Sequence, residues 1–427
     1  MRPQHLTRLA ALLALGLIPC AAQATNGYFS HGYGVKALGQ AGVGIAWSQD
    51  ALAAASNPAG TALVAEQAGQ QARLDLGLSW FAPRRSAEIQ GNAFGPDASY
   101  GGNGRKNFFI PEFGYVRALS PRLSTGLAVY GNGGMNTEYA SNPYARFGAS
   151  GTAGVNLEQL FVAPSIAWKP GADHSLGLAA NIAYQRFAAQ GLGLFAGFSQ
   201  APGQLSDRGT DSSLGLGLRL GWQARLSPEL TLGLSWASKV RGRFKDYAGL
   251  FADGGRFDVP ENYGIGLAWQ AGRDWTLGAD VQTIRYSRVA AVGHSLARLL
   301  QGQPLGAAEG PGFGWRDLTV LKLAVSHQLS RELTLRAGIS HARQPVPGGE
   351  TLFNILAPGV VQDHVSLGAS WQLGGGELSG YLAYAPGKTV RGSGSIPAGL
   401  PPGGFGGGNA HVRLQETLLG ISYGWRL

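Results

Sequence analysis

A two-residue alternation that returns along most of the chain constrains its fold more than any other feature. Leu74, Leu76, Leu78 and Trp80 alternate with Asp75, Gly77 and Ser79. Leu176, Leu178, Ala180, Ile182 and Tyr184 do the same, as do Leu214, Leu216, Leu218, Leu220 and Trp222, then Leu230, Leu232, Leu234 and Trp236. Leu333, Leu335, Ala337 and Ile339 continue the pattern. A period of two is the mark of strands with one apolar face. The opposite face carries Gly, Ser, Asn and charge, and the apolar stripe ends in Trp or Tyr. A soluble sandwich or β-helix points such stripes at another part of itself. A membrane barrel points them at lipid, with aromatic girdles at the interfaces and a polar lumen. The repeated strand length with an aromatic at the stripe's end favours the barrel.

Composition agrees. Charged residues make up 14% of the 427 residues, and 68 are Gly. Mean hydropathy is −0.02. A helical membrane protein needs runs of about 20 apolar residues, and residues 25–427 contain none. A barrel mixes lipid-facing and lumen-facing residues and averages out near zero.

Residues 1–24 read as a secretory signal. Arg2 and Arg8 precede an apolar run from Leu9 to Ile18, and Ala22-Gln23-Ala24 is a small-x-small cleavage site. Cys20, the one cysteine, lies inside this segment, so thiol chemistry and disulfides are not expected of the mature chain. Removing Arg2 and Arg8 lowers the formal net charge from +9 to +7. The basic residues are scattered, which argues against a nucleic-acid interface and suits anionic headgroups or an anionic substrate.

Residues 25–68 lack sustained alternation and are rich in Gly and Ala. Asp50 is placed to cap a short helix over 51–55, and Asn57 to cap a second turn that begins with Pro58. A compact stretch of small residues ahead of a barrel predicts a helical hatch inside the lumen. Residues 69–427 then predict an all-β transmembrane antiparallel barrel of about 14 strands, centred near Leu76, Phe113, Leu127, Val162, Ala180, Leu218, Leu234, Leu267, Ala279, Leu323, Leu335, Leu367, Leu382 and Leu419. Short turns such as 120–122, 170–173 and 227–229 alternate with long connections near 132–156, 191–211, 246–258 and 289–313. That is the arrangement of periplasmic turns and extracellular loops.

Parity assigns side chains to the lumen. Asp75, Glu112, Arg219, Lys239, Asp280, Lys322, Arg336 and Glu416 are predicted to face inward, because a midplane Arg or Lys on the lipid face costs about 2–4 kcal/mol. Most should form structural ion pairs. Arg219, Lys322 and Arg336 are the candidates for holding an anionic headgroup. Pro111 and Pro164 lie within the second and fourth strands, where proline belongs at bulges or unpaired positions. They flank a third strand around Gly126, and missing donors on both sides suit a kink that opens the wall. Two ordinary bulges explain them equally well. Leu192, Leu194, Phe195 and Phe198 in one long loop, and Leu250 and Phe251 in the next, are apolar in regions with no strand to bury them. They mark either a ligand groove or a small satellite core.

Asn26-Gly27-Tyr28-Phe29-Ser30-His31-Gly32-Tyr33-Gly34, Gly39-Gln40-Ala41-Gly42, Asp50-Ala51-Leu52-Ala53-Ala54 and Asn57-Pro58-Ala59-Gly60 stand near the start, with Trp315-Arg316-Asp317 and Ile355-Leu356-Ala357-Pro358 later. In these stretches the chain resembles the FadL/TodX family of outer-membrane transporters of long-chain fatty acids and other hydrophobic compounds. The resemblance covers essentially all of residues 25–427. It implies a hatch-plugged 14-stranded barrel and capture between the third and fourth extracellular loops, here 191–211 and 246–258. It also implies lateral exit through a gap at a kinked third strand, walled here by Pro111, Gly126 and Pro164 and gated beside Asn57, Pro58 and Ala59. The expected partners are hydrophobic small molecules and outer-membrane lipids, with no nucleic acid, cofactor or metal, and the barrel is expected to act as a monomer. Leu427 departs from the aromatic residue that usually ends the family's chains. An aromatic-hydrocarbon importer of the same fold is the alternative.

Two other classes compete. Gly420-Ile421-Ser422-Tyr423-Gly424 fits the G-x-S-x-G pattern of a lipase or esterase, with His327, His364 and His411 as partners by type, but that motif needs a strand-to-helix turn. A hydrophilic porin would carry an open lumen, which a hatch contradicts.

Overall fold

The computed structural model describes residues 25–69, 72–401 and 403–427. The signal segment 1–24, with its cleavage site and Cys20, lies outside them. Fourteen long strands form one closed antiparallel barrel. They are β1 (Ala72–Gln90), β2 (Phe108–Ser120), β3 (Leu123–Tyr139), β4 (Ala153–Trp168), β5 (His174–Gln190), β6 (Asp211–Ser227) and β7 (Leu230–Ala237), then β8 (Asn262–Gln270), β9 (Trp275–Ile284), β10 (Leu318–Gln328), β11 (Leu333–Ala342), β12 (Asp363–Leu373), β13 (Gly376–Val390) and β14 (Asn409–Arg426). β14 closes the sheet against β1, from Asn409 opposite Gln90 to Arg426 opposite Arg73. Each of the fourteen expected centres falls inside one of these strands. Closure pairs the first strand with the last, so the sheet does not end in an open edge strand, as lipid requires. No helix among the described residues is long and apolar enough to span a membrane.

The alternation faces outward. Leu76, Leu78, Leu214, Leu216, Leu321, Leu323, Leu367 and Leu419 are exposed around the wall. Trp168, Trp269, Trp275 and Trp371 ring the short-turn end, and Trp236, Tyr263 and Tyr384 ring the other. The opposite parity is buried: Asp75, Glu112, Arg219, Asp280, Lys322, Arg336 and Glu416 all face in. Lys239 does not. β7 ends at Ala237, so Lys239 lies beyond the ladder, partly exposed, and pairs with Asp258 at 3.3 Å. The expected loop 132–156 is also shorter, because β3 runs to Tyr139 and only 140–152 connect it to β4.

Residues 25–69 lie among these inward side chains. They form two short bridging strands and three short helices: α1 (Val35–Leu38), α2 (Ala53–Ser56) and α3 (Gly60–Gln67). The helices fall slightly later than predicted, because Asp50 Oδ1 accepts from Leu52 N at 3.0 Å and holds a turn over 51–52 first. Small residues let the two backbones meet: a Cβ on Gly39 would come within 3.0 Å of Gly368 Cα on β12. Charge then fixes the segment. Asp280 Oδ2 accepts from Gly44 N and Ile45 N at 2.8 and 3.1 Å, and Asp75 Oδ2 accepts from Ala51 N at 2.8 Å. Lys36 and Arg73 converge on Glu377, at 2.5 and 3.2 Å, with all three side chains buried. Removing one member of such a group strands the others' charge and costs about 3–5 kcal/mol. Glu377→Ala is therefore expected to speed amide exchange across residues 26–69 while the barrel strands stay protected. Exchange unchanged in that segment contradicts this anchoring.

Candidate functional site

The apolar loop residues converge. Leu192 and Phe195 from the loop after β5, and Leu250 and Phe251 from the loop after β7, close an apolar chamber at the long-loop end of the barrel. Leu194 and Phe198 pack against the same cluster. The chamber also takes Leu305 and Phe313 from the loop after β9, Phe353 and Leu356 from the loop after β11, and Phe187 and Val155 from the wall. Every lining residue is apolar. Rings fix the shape: Phe187 meets Phe251 at 4.7 Å, Phe251 meets Phe257 at 4.9 Å, and Phe195 meets Phe353 edge-on at 5.5 Å. The same sequence signal, apolar residues in long loops, was present around Phe313 and Phe353. Phe313 stands out less because it lies alone between Gly312 and Gly314, whereas Phe353 lies in an apolar run with Leu352, Ile355 and Leu356 that carried the same signal.

Next to the chamber stands an aromatic group that joins it to the N-terminal segment. Tyr28 contacts Phe257, Tyr286 and Trp315 at 5.9, 5.1 and 5.8 Å. Tyr286 Oη accepts from Tyr28 N and Phe29 N at 3.1 and 3.2 Å and donates to Asn26 O at 2.5 Å. Phe29 pairs with Gly133 of β3, and Gly134 N donates to Tyr28 O at 2.9 Å.

That contact meets β3 where it kinks. Against β4 the register slips between Gly131 and Gly133, so Asn132 is one extra residue, a β-bulge. Against β2 the pairing stops at Phe113 opposite Val129, although β2 continues to pair with β1 up to Phe108 opposite Phe81. Phe108–Glu112 of β2 and Tyr130–Tyr139 of β3 therefore share no ladder. Residues 130–137 of β3 are buried on both faces, since this half turns into the lumen. The unpaired window is bounded above by the Asn103–Glu138 bridge. Arg85 of β1 crosses behind it, donating to Asn136 O at 2.7 Å and to Arg105 O. A small cavity of about 30 Å³ lies beside it, lined by Phe81, Arg85, Met135 and Leu414 among others. Arg85 was not singled out from the sequence, where it is one more inward basic residue.

The sequence-derived wall residues distribute differently. Pro111 lies in the unpaired stretch of β2. Pro164 pairs normally with Leu127 of β3, and its irregularity is on the β5 side, where the ladder skips from Val162 to Ser165. Gly126 is not at the opening. It sits in continuous pairing below the kink, where a Cβ would meet Ser165 Oγ at 2.8 Å and Thr61 Cγ2 at 3.1 Å. Asn57, Pro58 and Ala59 are seated on the β5–β7 wall instead of beside the kink. Asn57 Nδ2 donates to Ile45 O, Trp222 O and Leu234 O at 2.7, 3.1 and 3.2 Å, and Pro58 packs over Gly177 and Gly221. The residues of the N-terminal segment that touch the kink are Tyr28, Phe29 and Tyr33.

The three lumen cations are engaged with their own chain. Lys322 Nζ donates to His31 O at 2.8 Å and Gly42 O at 3.2 Å. Arg336 donates to Gln49 Oε1 and Ser370 Oγ at 3.0 and 2.6 Å. Arg219 reaches Ser56 O at 3.3 Å and Ser235 Oγ at 3.4 Å. None of them lines the apolar chamber. Ser422 lies in an unbroken ladder opposite Ser379 and Gly77, so the strand-to-helix turn of a nucleophile elbow is not formed there. His327 stacks on Trp275 at 4.0 Å, His364 bonds Ser340 Oγ at 3.2 Å, and His411 bonds Gln90.

A barrel of 14 strands, a lumen-filling N-terminal segment and an apolar chamber under the loops make a coherent set. The family described as outer membrane protein transport protein (OMPP1/FadL/TodX) matches residues 17–379. The chain belongs to that family. It is a bacterial outer-membrane barrel of the hydrophobic-compound transporter type. Among solved structures, a Pseudomonas aeruginosa FadL homologue is similar at a TM-score of 0.71 and 16% identity, covering 94% of this chain and 99% of the other. The Pseudomonas putida toluene transporter TodX is similar at 0.65 and 16%, covering 93% and 99%. The Ralstonia pickettii toluene transporter TbuX is similar at 0.65 and 17%, with the same coverage. At these identities the likeness concerns the fold. No significant match is found among curated proteins.

Proposed function

We propose that this family member carries hydrophobic compounds passively across the outer membrane. They are captured in the apolar chamber between the loops and released sideways into the membrane through the β2–β3 window, while residues 25–68 act as the hatch that blocks ions. The supporting observation is the placement of the chamber, the Tyr28–Phe29 contact and the kinked strand in one connected line. A hydrocarbon gains nothing from a wet channel but moves readily from an apolar pocket into lipid. The chamber is about 40 Å³, well under the roughly 150 Å³ that holds benzene in a protein core. Loading therefore needs the loops to part.

Long-chain fatty acids are the first substrate class, with the chain in the chamber. Monoaromatic hydrocarbons are the second, favoured by a ring-lined chamber that has no cation. Uptake of labelled oleate, with toluene as competitor, in cells lacking their own transporter separates them. Saturable oleate uptake unaffected by toluene supports the first reading. Failure of oleate uptake with the barrel in the outer membrane supports the second. A large steady ionic current in a planar bilayer contradicts the hatch.

A further inference from the structure

The outer surface where β13, β14 and β1 meet carries a line of arginines that neither capture nor release uses. Arg413 of β14 stands opposite Thr389 of β13 and Ser86 of β1. Arg391 lies two residues above Thr389, and Arg84 two residues below Ser86. The three step down two residues, one same-face position, per strand. Diagonal neighbours of this kind lie about 7–8 Å apart. All three are exposed. Arg84 continues the outward stripe of Leu76, Leu78 and Trp80, and Arg413 continues that of Ile421 and Leu419.

Among the described residues none of the three has an ion pair. Their one side-chain hydrogen bond is Arg413 Nη1 to Thr389 Oγ1, at 3.5 Å. Gly387 leaves room for that guanidinium, since a Cβ there would fall 2.7 Å from Arg413 Cζ. Glu88, the acid on this patch, accepts from Gln90 Nε2 at 2.7 Å, and Gln90 Oε1 meets His411 Nε2 at 3.0 Å. Elsewhere on the same rim opposite charges are matched: Arg285 with Asp317 at 3.0 Å and Arg288 with Glu261 at 3.0 Å.

Height on the barrel identifies what supplies the missing anion. β13, β14 and β1 have 15, 18 and 19 residues, more than the about 9–11 that cross the hydrocarbon. Arg84 stands two residues, about 7 Å along the strand, above Ala82, which shares its register level with Tyr384 of the aromatic girdle. Below the arginines, Leu78, Leu382 and Leu419 offer an apolar surface. Like charges on neighbouring positions repel. An anion between them turns that repulsion into charge-assisted hydrogen bonds, and a guanidinium fork matches phosphate best.

We propose that Arg84, Arg391 and Arg413 form a docking site for the phosphate headgroup of an outer-leaflet lipid, with its acyl chains against Leu78, Leu382 and Leu419. The site is separate from the transport path and does not depend on its substrate.

The test uses the purified full-length barrel and the variant R84Q/R391Q/R413Q, both checked as folded by heat-modifiable mobility. Native mass spectrometry measures retention of bisphosphorylated lipid A and of the same lipid with its phosphates removed. Wild type is expected to hold the phosphorylated lipid about tenfold or more tightly than the variant does, and more tightly than it holds the dephosphorylated lipid by the same margin. Equal retention by wild type and variant, or of both lipids by wild type, overturns the proposal. Displacement of lipid A by millimolar inorganic phosphate assigns the arginines to a free anion and also overturns it. Should the triple variant fail to assemble, the comparison of the two lipids on wild type decides.

Discussion

Deleting Asn132 is expected to abolish most uptake while leaving the barrel assembled in the outer membrane. Asn132 is the extra residue of the β3 bulge, with Gly131 opposite Leu160 and Gly133 opposite Gln159. Its removal lets β3 pair with β4 without a slip and takes away the extra bend and twist that a bulge supplies. The upper half of β3 would then lie in the wall, and its N–H and C=O groups would meet the unpaired stretch of β2. A ladder across Phe108–Glu112 closes the window. Asn132 also receives Tyr33 Oη at 2.8 Å and donates to Gln159 Oε1 at 3.0 Å, both inside the lumen, so part of the hatch contact goes with it. Closure need add only about 1.4 kcal/mol to the release barrier for a tenfold fall in rate. The expected result is a fall of about tenfold or more in the initial rate of labelled substrate uptake, with heat-modifiable mobility unchanged. A rate within twofold of wild type means that release does not pass between β2 and β3. Gly126→Val is an informative companion. Its Cβ meets Ser165 and Thr61 below the kink, so it disturbs the seating of α3 without closing the window.

The second large effect is expected at Phe251. Its ring lies 4.7 Å from Phe187 and 4.9 Å from Phe257, and it lines the chamber. Phe251→Asp puts a carboxylate in a site with no polar partner among the lining residues. Burying it there costs several kcal/mol, so the side chain turns out to water and opens the chamber, or draws water in. Either outcome removes the dry surface on which a hydrocarbon gains about 25 cal/mol per Å². Binding of a fluorescent hydrophobic ligand is expected to weaken by about tenfold or more, while Phe251→Leu, which stays apolar, holds within about threefold. The barrel ladder does not include Phe251, so assembly persists in both. Equal binding by the Asp variant and wild type would place capture elsewhere.

The barrel itself was legible because its physics is periodic. Alternation, turn spacing and terminal aromatics are local signals, and they located all fourteen strands and the lumen parity of Asp75, Asp280, Lys322 and Arg336. Lys239 escaped the parity rule because β7 stops two residues earlier, a length that no local signal sets. The site was partly legible. Leu192, Phe195, Leu250 and Phe251 were found as apolar residues without a strand to bury them. Phe313 and Phe353 share that property, but their meeting with the others is a matter of loop packing between segments 62 to 161 residues apart. The kink was read from Pro111 and Pro164, yet it is produced at Gly131–Gly133, where Gly133 has φ of 153° and carries the backbone of Tyr28 and Phe29 against it. A side chain at Gly133 would overlap Tyr28 O. Proline announces a missing donor, but an inserted residue inside a glycine run is visible only once both neighbouring strands are in register. Asn57-Pro58-Ala59 likewise carries a family signature, while its seat on Gly177 and Gly221 depends on how the segment crosses the lumen.

The central claim is that one apolar path links the loop chamber to the β2–β3 window. Photolabelling tests it most directly. A diazirine-bearing hydrophobic probe is applied to the barrel in outer-membrane vesicles, with and without excess unlabelled ligand, and adducts are mapped by mass spectrometry. The account predicts competable adducts in two groups: at the chamber, on Phe251 or Phe353, and at the window, on Phe108, Ile110 or Met135. Competable adducts confined to α3 and the periplasmic end, with none at the window, would contradict lateral release and mean that the ligand crosses the length of the lumen.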